Sequence, residues 1–578
     1  MNGRTTPRRR PKLRAATGLG ISFALGVAAL TGCSALAGSD ASADETTATT
    51  AATSSETRPD SVQAVIDANS DQTVVKDDEW SEDDAADVTL TGDGAESDSD
   101  AVSSSDGVVT ISGAGVYRLT GSLDGSIVID AADDAQVVLI LDGVTISASD
   151  VAAISSVTAD DTAIYLADGS ENEVTSSGTY AEDADANAAI YADNDLTISG
   201  TGSLTVNGEA NDGITSKDDL VVLSGTLDVT AADDGLRGKD SLTVRGGTIT
   251  VDAGGDGLNS DQEDDETQGW VLIEGGTLDI TAGSDGIDGF TDVVITDGDI
   301  TIDSEEGLEG GVVGISGGTV DITTTDDGIN GSAGTAETTT DDSSTSDESS
   351  TTTDDETADD ASSATADQTA AQSDDATADG EAPTDGERPE MPTDGEMPTD
   401  GQRPEGGGMG GGGGMGGGMS DTGEWVLIEG GTVTIDAEGD GLDSNGSLDI
   451  SGGTVVVYGP SNAGNGALDA NGEITVSGGT LLAIDSGGMS ETPSADSSQA
   501  WVAASASGDA GATVEVVAED GTVIASGTAT KAFGAVIASS GDVTTDGTYT
   551  ITIDGEEAAT ATAGEALAGG MGGGAPQG

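Results

Sequence analysis

The chain has 578 residues, 109 of them acidic and 16 basic, for a formal charge of −93, with no histidine and one cysteine. Such a surface repels nucleic acid and anionic lipid and favours cations, or polymers bridged by cations. Hydrophobic residues make up 34% and aromatics 2%, thin material for large globular cores, while 90 glycines suit short strands joined by tight turns.

Residues 1–32 read as a lipoprotein signal peptide. The bases Arg4, Arg8, Arg9, Arg10, Lys12 and Arg14 precede the apolar run "GLGISFALGVAAL", which is too short to span a bilayer comfortably. The run ends in "LTGC", Leu30 to Cys33, which resembles the lipobox of bacterial lipoproteins. That resemblance implies lipidation of Cys33 and a mature protein tethered to the extracellular face of the bacterial cytoplasmic membrane, at the cell surface. Residues 33–107, acidic and rich in Ser, Thr and Ala, read as a disordered spacer.

From Val108 the pattern turns to strands. Runs such as "SIVIDAADDAQVVLILDGVTIS" alternate or stay apolar for a few residues and break at Asp, Gly and Asn. A refrain then sets in: "GTLDVTAADDGLRG", "GGTITVDAGGDGLNS", "GGTLDITAGSDGIDGF", "GGTVDITTTDDGING" and "GGTVTIDAEGDGLDS". Its first apolar residue after Gly-Thr, or the equivalent place, falls at Leu227, Ile249, Leu278, Ile300, Val320, Val433, Val455 and Leu481. Seven residues earlier stand Leu220, Leu242, Val271, Val293, Val313, Val426, Leu448 and Ile474, which strand alternation sends to the same side. The period is about 22 residues, one turn of a parallel β-helix in which each turn stacks on the last.

The expected fold is therefore all-β, a parallel β-helix over 108–331 and 424–488. A low-complexity insertion, acidic and then Pro/Gly/Met-rich, occupies 332–423; a β-rich antiparallel cap is expected over 489–560 and a Gly-rich tail over 561–578. The shorter insertion "DQEDDETQG" leaves the repeat at the same point as the long one, so both should emerge from one edge.

An acid precedes the refrain's second glycine at Asp212, Asp234, Asp256, Asp285, Glu306, Asp327 and Asp440. Stacking would bring these carboxylates to a spacing of about 4.8 Å. Neighbours there repel by about 1 kcal/mol in water and about 3.5 kcal/mol at an effective dielectric of 20. Three residues further on stand Thr215, Arg237, Asn259, Asp288, Glu309, Asn330 and Asp443, mostly oxygen donors of the kind Ca²⁺ accepts. Without histidine or a free mature thiol, zinc, copper and iron are disfavoured. One or more Ca²⁺ ions are expected among Asp256, Asn259, Asp285, Asp288, Glu306, Glu309, Asp327, Asn330, Asp440 and Asp443; the other reading is a file of solvated turn acids.

The stretch from "NAAIYADNDLTISGTGSLTV" to "GGDGLNS", with "GGMSETPSADSSQAWV" at 487–502, resembles a bacterial surface carbohydrate-binding family built on a pectate-lyase-like parallel β-helix. The resemblance covers roughly residues 110–555 apart from the low-complexity arm. It implies a right-handed β-helix that binds calcium and acidic, uronate-rich, pectin-like polysaccharide, without established cleavage. Glu306 departs from the usual Asp.

An acidic protein can hold an acidic glycan only if divalent ions are shared between them. The expected function is calcium-dependent binding of acidic polysaccharide by a monomer whose only membrane contact is the lipid at Cys33. Trp270 and Trp425, each just before "VLIEGG", are candidate sugar platforms, or else pin the insertions to the wall. Two alternatives stay open. One is a calcium-assisted polysaccharide lyase, for which Lys239, Arg237 and Lys217 are the candidate bases. The other is a structural or adhesive surface protein with no glycan ligand.

Overall fold

The computed structural model describes residues 60–76, 78–181, 184–332 and 422–567. The signal peptide, Cys33, nearly all of the low-complexity insertion and the end of the Gly-rich tail lie outside the described residues. Within them the chain is all-β, with one sheet of 36 strands, most of them parallel, and a separate sheet of four.

Each repeat contributes to three parallel ladders in turn. One ladder aligns Leu227, Ile249, Leu278, Ile300, Val320, Val433, Val455 and Leu481, every one paired with the next. A second aligns Leu220, Leu242, Val271, Val293, Val313, Val426, Leu448 and Ile474. A third, short-stranded, carries Ile214, Leu236, Leu258, Ile287, Leu308, Ile329 and Leu442. All of these side chains are at most 3% exposed, in one continuous apolar core. Each contributes about 1.5–3 kcal/mol by leaving water. Both insertions join the short-stranded ladder to the second one, from Leu258–Ser260 to Trp270–Ile273 and from Ile329–Gly331 to Trp425–Ile428.

Glycine serves two purposes in the refrain. Gly276, before its threonine, has φ +106°, a turn conformation that side-chain-bearing residues avoid. Gly286, after the acid, has no such φ; a Cβ there would lie 2.7 Å from the Gly307 carbonyl oxygen and would crowd Ile302. The same collision recurs at Gly213, Gly235, Gly257 and Gly441. That glycine is required because one repeat's backbone presses on the next.

The disordered spacer expected over 33–107 is corrected from residue 60 onward. A helix spans Val62–Ala68, capped by Ser61, whose Oγ accepts the Ala64 N–H at 3.2 Å. Strands follow at Ala86–Gly92, Ala95–Ser97 and Val102–Ser105, and Ala86–Gly92 already pairs in parallel with Gly115–Asp124. Composition misled here because the few apolar residues, such as Val62, Val65 and Val75, do not need a core of their own. They use the outer wall of the ladders instead.

Between that helix and Ala86 the chain runs the length of the wall, meeting ever earlier repeats. Val62 N–H donates to Glu429 Oε2 at 3.3 Å and Ser70 N–H to the Thr267 carbonyl at 2.9 Å. Thr73 N–H then reaches Asp219 Oδ2 at 2.7 Å, and Val75 N–H reaches Thr197 Oγ1 at 3.1 Å. Trp80 meets Tyr165 edge-on at 5.0 Å, and Glu82 accepts from Arg118 at 2.7 Å. Residues 61–76 and 78–85 thus form a lengthwise strap.

At the other end the ladders stop against antiparallel strands. Thr480–Asp485 pairs with Phe533–Ser539, which pairs with Trp501–Gly508. The four-stranded sheet of Val523–Thr528, Thr513–Ala518, Thr548–Ile553 and Glu556–Thr562 packs beyond them around Val514, Val516, Phe533 and Ile551. Open parallel edges invite further pairing, and this end is closed to it.

Candidate functional site

The acid and the residue three places on meet directly in two of the repeats. Thr215 Oγ1 donates to Asp212 Oδ2 at 2.9 Å, and Asn259 Nδ2 donates to Asp256 Oδ2 at 2.5 Å. Pairing then carries the third residues into one file, Thr215, Arg237, Asn259, Asp288, Glu309, Asn330 and Asp443.

One oxygen of several acids is spent on the backbone of the following repeat. Asp256 N–H donates to Asp234 Oδ1 at 3.0 Å and Asp285 N–H to Asp256 Oδ1 at 3.1 Å. Asp440 N–H donates to Asp327 Oδ1 and Gly466 N–H to Asp440 Oδ1, both at 2.5 Å. The acid therefore ties repeat to repeat. Further oxygens remain available, and they cluster.

Carboxylate oxygens of Asp256, Asp285 and Asp288 lie within 4.8 Å of one another, and so do those of Asp285, Glu306 and Glu309. Asp285 belongs to both triads. Beside the first, Asn259 is 8% exposed and its Oδ1 is buried with no hydrogen-bond partner. Asn330 Oδ1 is likewise buried and unpartnered, while its Nδ2 donates to Glu306 Oε2 at 3.0 Å. Carboxylate oxygens plus orphaned amide oxygens form a hard donor set, which fits Ca²⁺.

Electrostatics say the same. Burial, followed by the charges of Asp256, Glu309 and Glu306, pushes Asp285 up to about 8. Burial and the Asp256 and Glu309 carboxylates hold Asp288 well above the usual carboxylate range. Burial leads again at Asp234, Asp327 and Asp443, each pushed up to about 7, and at Asp440, to about 6. Burial and mutual repulsion thus favour the protonated forms of Asp285 and Asp288.

Among the described residues, no comparable triad forms at Asp327, Asp440 or Asp443. Those three share the file but are more dispersed. At the opposite end Arg237 supplies a positive charge, 3.8 Å from Asp212 and paired also with Asp261. A candidate proton-abstracting base is thereby committed to ion pairs. Lys217 and Lys239 are half-buried on the following turn, beyond the file.

Trp270 and Trp425 do not present open sugar platforms. They are 3% and 5% exposed and pack with Val62, Val65, Leu272 and Leu427 beneath the N-terminal helix. Their indole N–H groups donate to the Thr267 carbonyl at 3.2 Å and to Asp449 Oδ2 at 2.8 Å. Both indoles are instead covered by the helix Val62–Ala68.

Two residues escaped the sequence reading. Asp469 continues the file past Asp443, since Leu468 bridges Leu442 in parallel, and burial raises its pKa. Aligning "GALDANG" with "GLDSNG" would have found it, but a glycine stands at the acid position there. Glu491, pushed up to about 7 by burial and by Asp469, arrives from a loop that carries no repeat signal.

Residues 105–310, which include both triads, match the family described as "Carbohydrate-binding domain-containing protein". A carbohydrate-binding domain-containing protein of Acetivibrio thermocellus is 38% identical over 137 residues, 23% of this chain and 48% of that relative. The match thus spans about half the length of the relative. A solved gadolinium derivative of a polysaccharide lyase-like protein from C. thermocellum is 34% identical, covering 41% of this chain and 96% of that one, with a TM-score of 0.38. The sequence matches support a carbohydrate-binding family for residues 105–310.

Proposed function

We propose that the protein is an extracellular, calcium-dependent binder of acidic, uronate-rich polysaccharide, tethered to the cell surface through a lipid on Cys33. The observation that carries this reading is the pair of carboxylate triads that share Asp285. Asp256, Asn259, Asp285, Asp288, Glu306 and Glu309 would hold the ions, and exposed coordination positions would be filled by uronate carboxylates. The ion supplies charge neutralisation and a bridge, since protein and glycan are both anionic. The three ladders are read as the faces of a right-handed parallel β-helix, the hand that crossovers between parallel strands overwhelmingly take.

Binding without cleavage is favoured over the lyase because Arg237 already pairs with Asp212 and Asp261. The test is calorimetry of the metal-free protein with Ca²⁺, then with polygalacturonate, in Ca²⁺ and in chelator. Heat from Ca²⁺, glycan binding only in its presence, and no unsaturated product in ultraviolet absorbance are expected. Absence of a calcium heat would end the reading.

A further inference from the structure

Both triads follow one pattern: the acid of one repeat, the acid of the next, and the residue three places beyond that second acid. Asp256, Asp285 and Asp288 obey it, and Asp285, Glu306 and Glu309 obey it again. Carried toward the N-terminus, the same pattern selects Asp234, Asp256 and Asn259, then Asp212, Asp234 and position 237. Register places position 237 in the file, between Thr215 and Asn259. There the third oxygen donor is replaced by Arg237.

The guanidinium sits where a cation would. Its Nη1 lies 3.8 Å from Asp212 Oδ2, and its Nη2 pairs with Oδ2 of Asp261, the first residue of the short insertion. Burial works against its charge, and the carboxylates of Asp261, Asp212 and Asp234 outweigh that cost. Asp212 is 1% exposed, and its Oδ1 accepts from Asn211 Nδ2 at 2.8 Å, so Arg237 is the positive partner of a buried acid. The remaining oxygen of Asp261, Oδ1, is buried with no hydrogen-bond partner. An arginine never loses its proton and never dissociates, and it repels a divalent ion placed beside it.

We propose that Arg237 is a built-in cation that closes the acid file to metal at this end and confines Ca²⁺ to the acids from Asp256 onward. The metal half of this inference rests on the calcium reading of the triads, whereas the charge half rests on the ion pairs alone.

The experiment compares full-length wild type with variants at this one position. In calorimetry, Arg237→Asp completes the pattern with Asp212 and Asp234 and should bind one further Ca²⁺ ion per chain. Arg237→Asn, which supplies the residue native at positions 259 and 330, should do the same if Arg237→Asp fails to fold. Arg237→Met offers no oxygen and should keep the wild-type stoichiometry. In chelator, Arg237→Met should melt at least about 2 °C below wild type, and Arg237→Lys should recover most of the loss. The proposal is overturned if the oxygen-bearing variants bind no further ion while wild type binds Ca²⁺. It is overturned equally if Arg237→Met melts like wild type, or if Arg237→Lys melts no higher than Arg237→Met, which would make the role one of packing. No calcium heat from wild type would refute the reading of the triads and the metal half with it; the melting comparison in chelator would still decide the charge half.

Discussion

Asp285 is the residue at which structure and chemistry conflict until a cation is supplied. Its carboxylate lies in both triads and is pushed up to about 8. Asp285→Asn is expected to weaken Ca²⁺ binding at least tenfold, about 1.4 kcal/mol, in calorimetry. The same change should raise the melting temperature of the metal-free protein at about pH 7, because an amide is neutral without the cost of protonating a buried acid. The pH dependence follows with its sign. Asp285, Asp327, Asp443 and Asp440 all have folded values above the ordinary carboxylate range, at about 8, 7, 7 and 6. Their stabilising contribution is full below about pH 4 and is lost as pH rises through those values. Metal-free protein should therefore melt at lower temperature at about pH 8 than at about pH 5, and Ca²⁺ should restore the difference at the higher pH; scanning calorimetry checks both. Gly286→Ala should cost about 1–3 kcal/mol in denaturant titration through overpacking against Gly307 and Ile302. The acid file was legible in the sequence because period alone aligns it. The role of its glycine was not, since an Asp-Gly pair looks like turn chemistry and close approach between repeats leaves no separate mark.

Among elements, the helix Val62–Ala68 does most with least. Seven residues could not hold a helix alone in water. It exists because Val62 and Val65, 1% and 2% exposed, seat on Trp270, Trp425 and their neighbours. Val65→Asp should forfeit about 1.5–3 kcal/mol of burial and release the helix, with red-shifted tryptophan emission and stronger acrylamide quenching as the readouts. Unchanged emission would mean that the indoles are sheltered by something other than the helix. Neither the helix nor the burial of the two tryptophans beneath it could be read from sequence. Partners lie as far apart as Val62 and Glu429, 367 residues, and no periodicity links them. The ladder strands were easier. Each announces its inward face by alternation and its partner by recurrence, as Leu278 with Ile249 and Ile300 shows.

At the scale of the molecule, net charge and architecture have to be reconciled. A chain carrying −93 should be poorly suited to an acidic glycan. On the function proposed above, shared divalent ions would reverse that, and screening should then expose the mechanism. Polygalacturonate retention in Ca²⁺ is expected to fall as NaCl rises from about 0.05 to 0.5 M, as the Debye length shrinks from over 10 Å to under 5 Å. Affinity indifferent to salt would point to an uncharged mode of recognition. The terminal elements show where sequence reading thins out: the cap's antiparallel strands were expected, but its docking on Thr480–Asp485 depends on contacts that no repeat encodes.

The strap carries one more implication. Proteins assembled from equivalent units commonly lengthen or shorten by duplication, since each unit needs only its neighbours. Here the strap touches positions near residues 429, 267, 219, 197, 165 and 118 in succession, so it measures the pile it lies against. Gaining or losing one unit between those points would displace every later contact by about 4.8 Å, more than a hydrogen bond can stretch. The chain thus contains its own ruler, and its number of repeats is fixed from within.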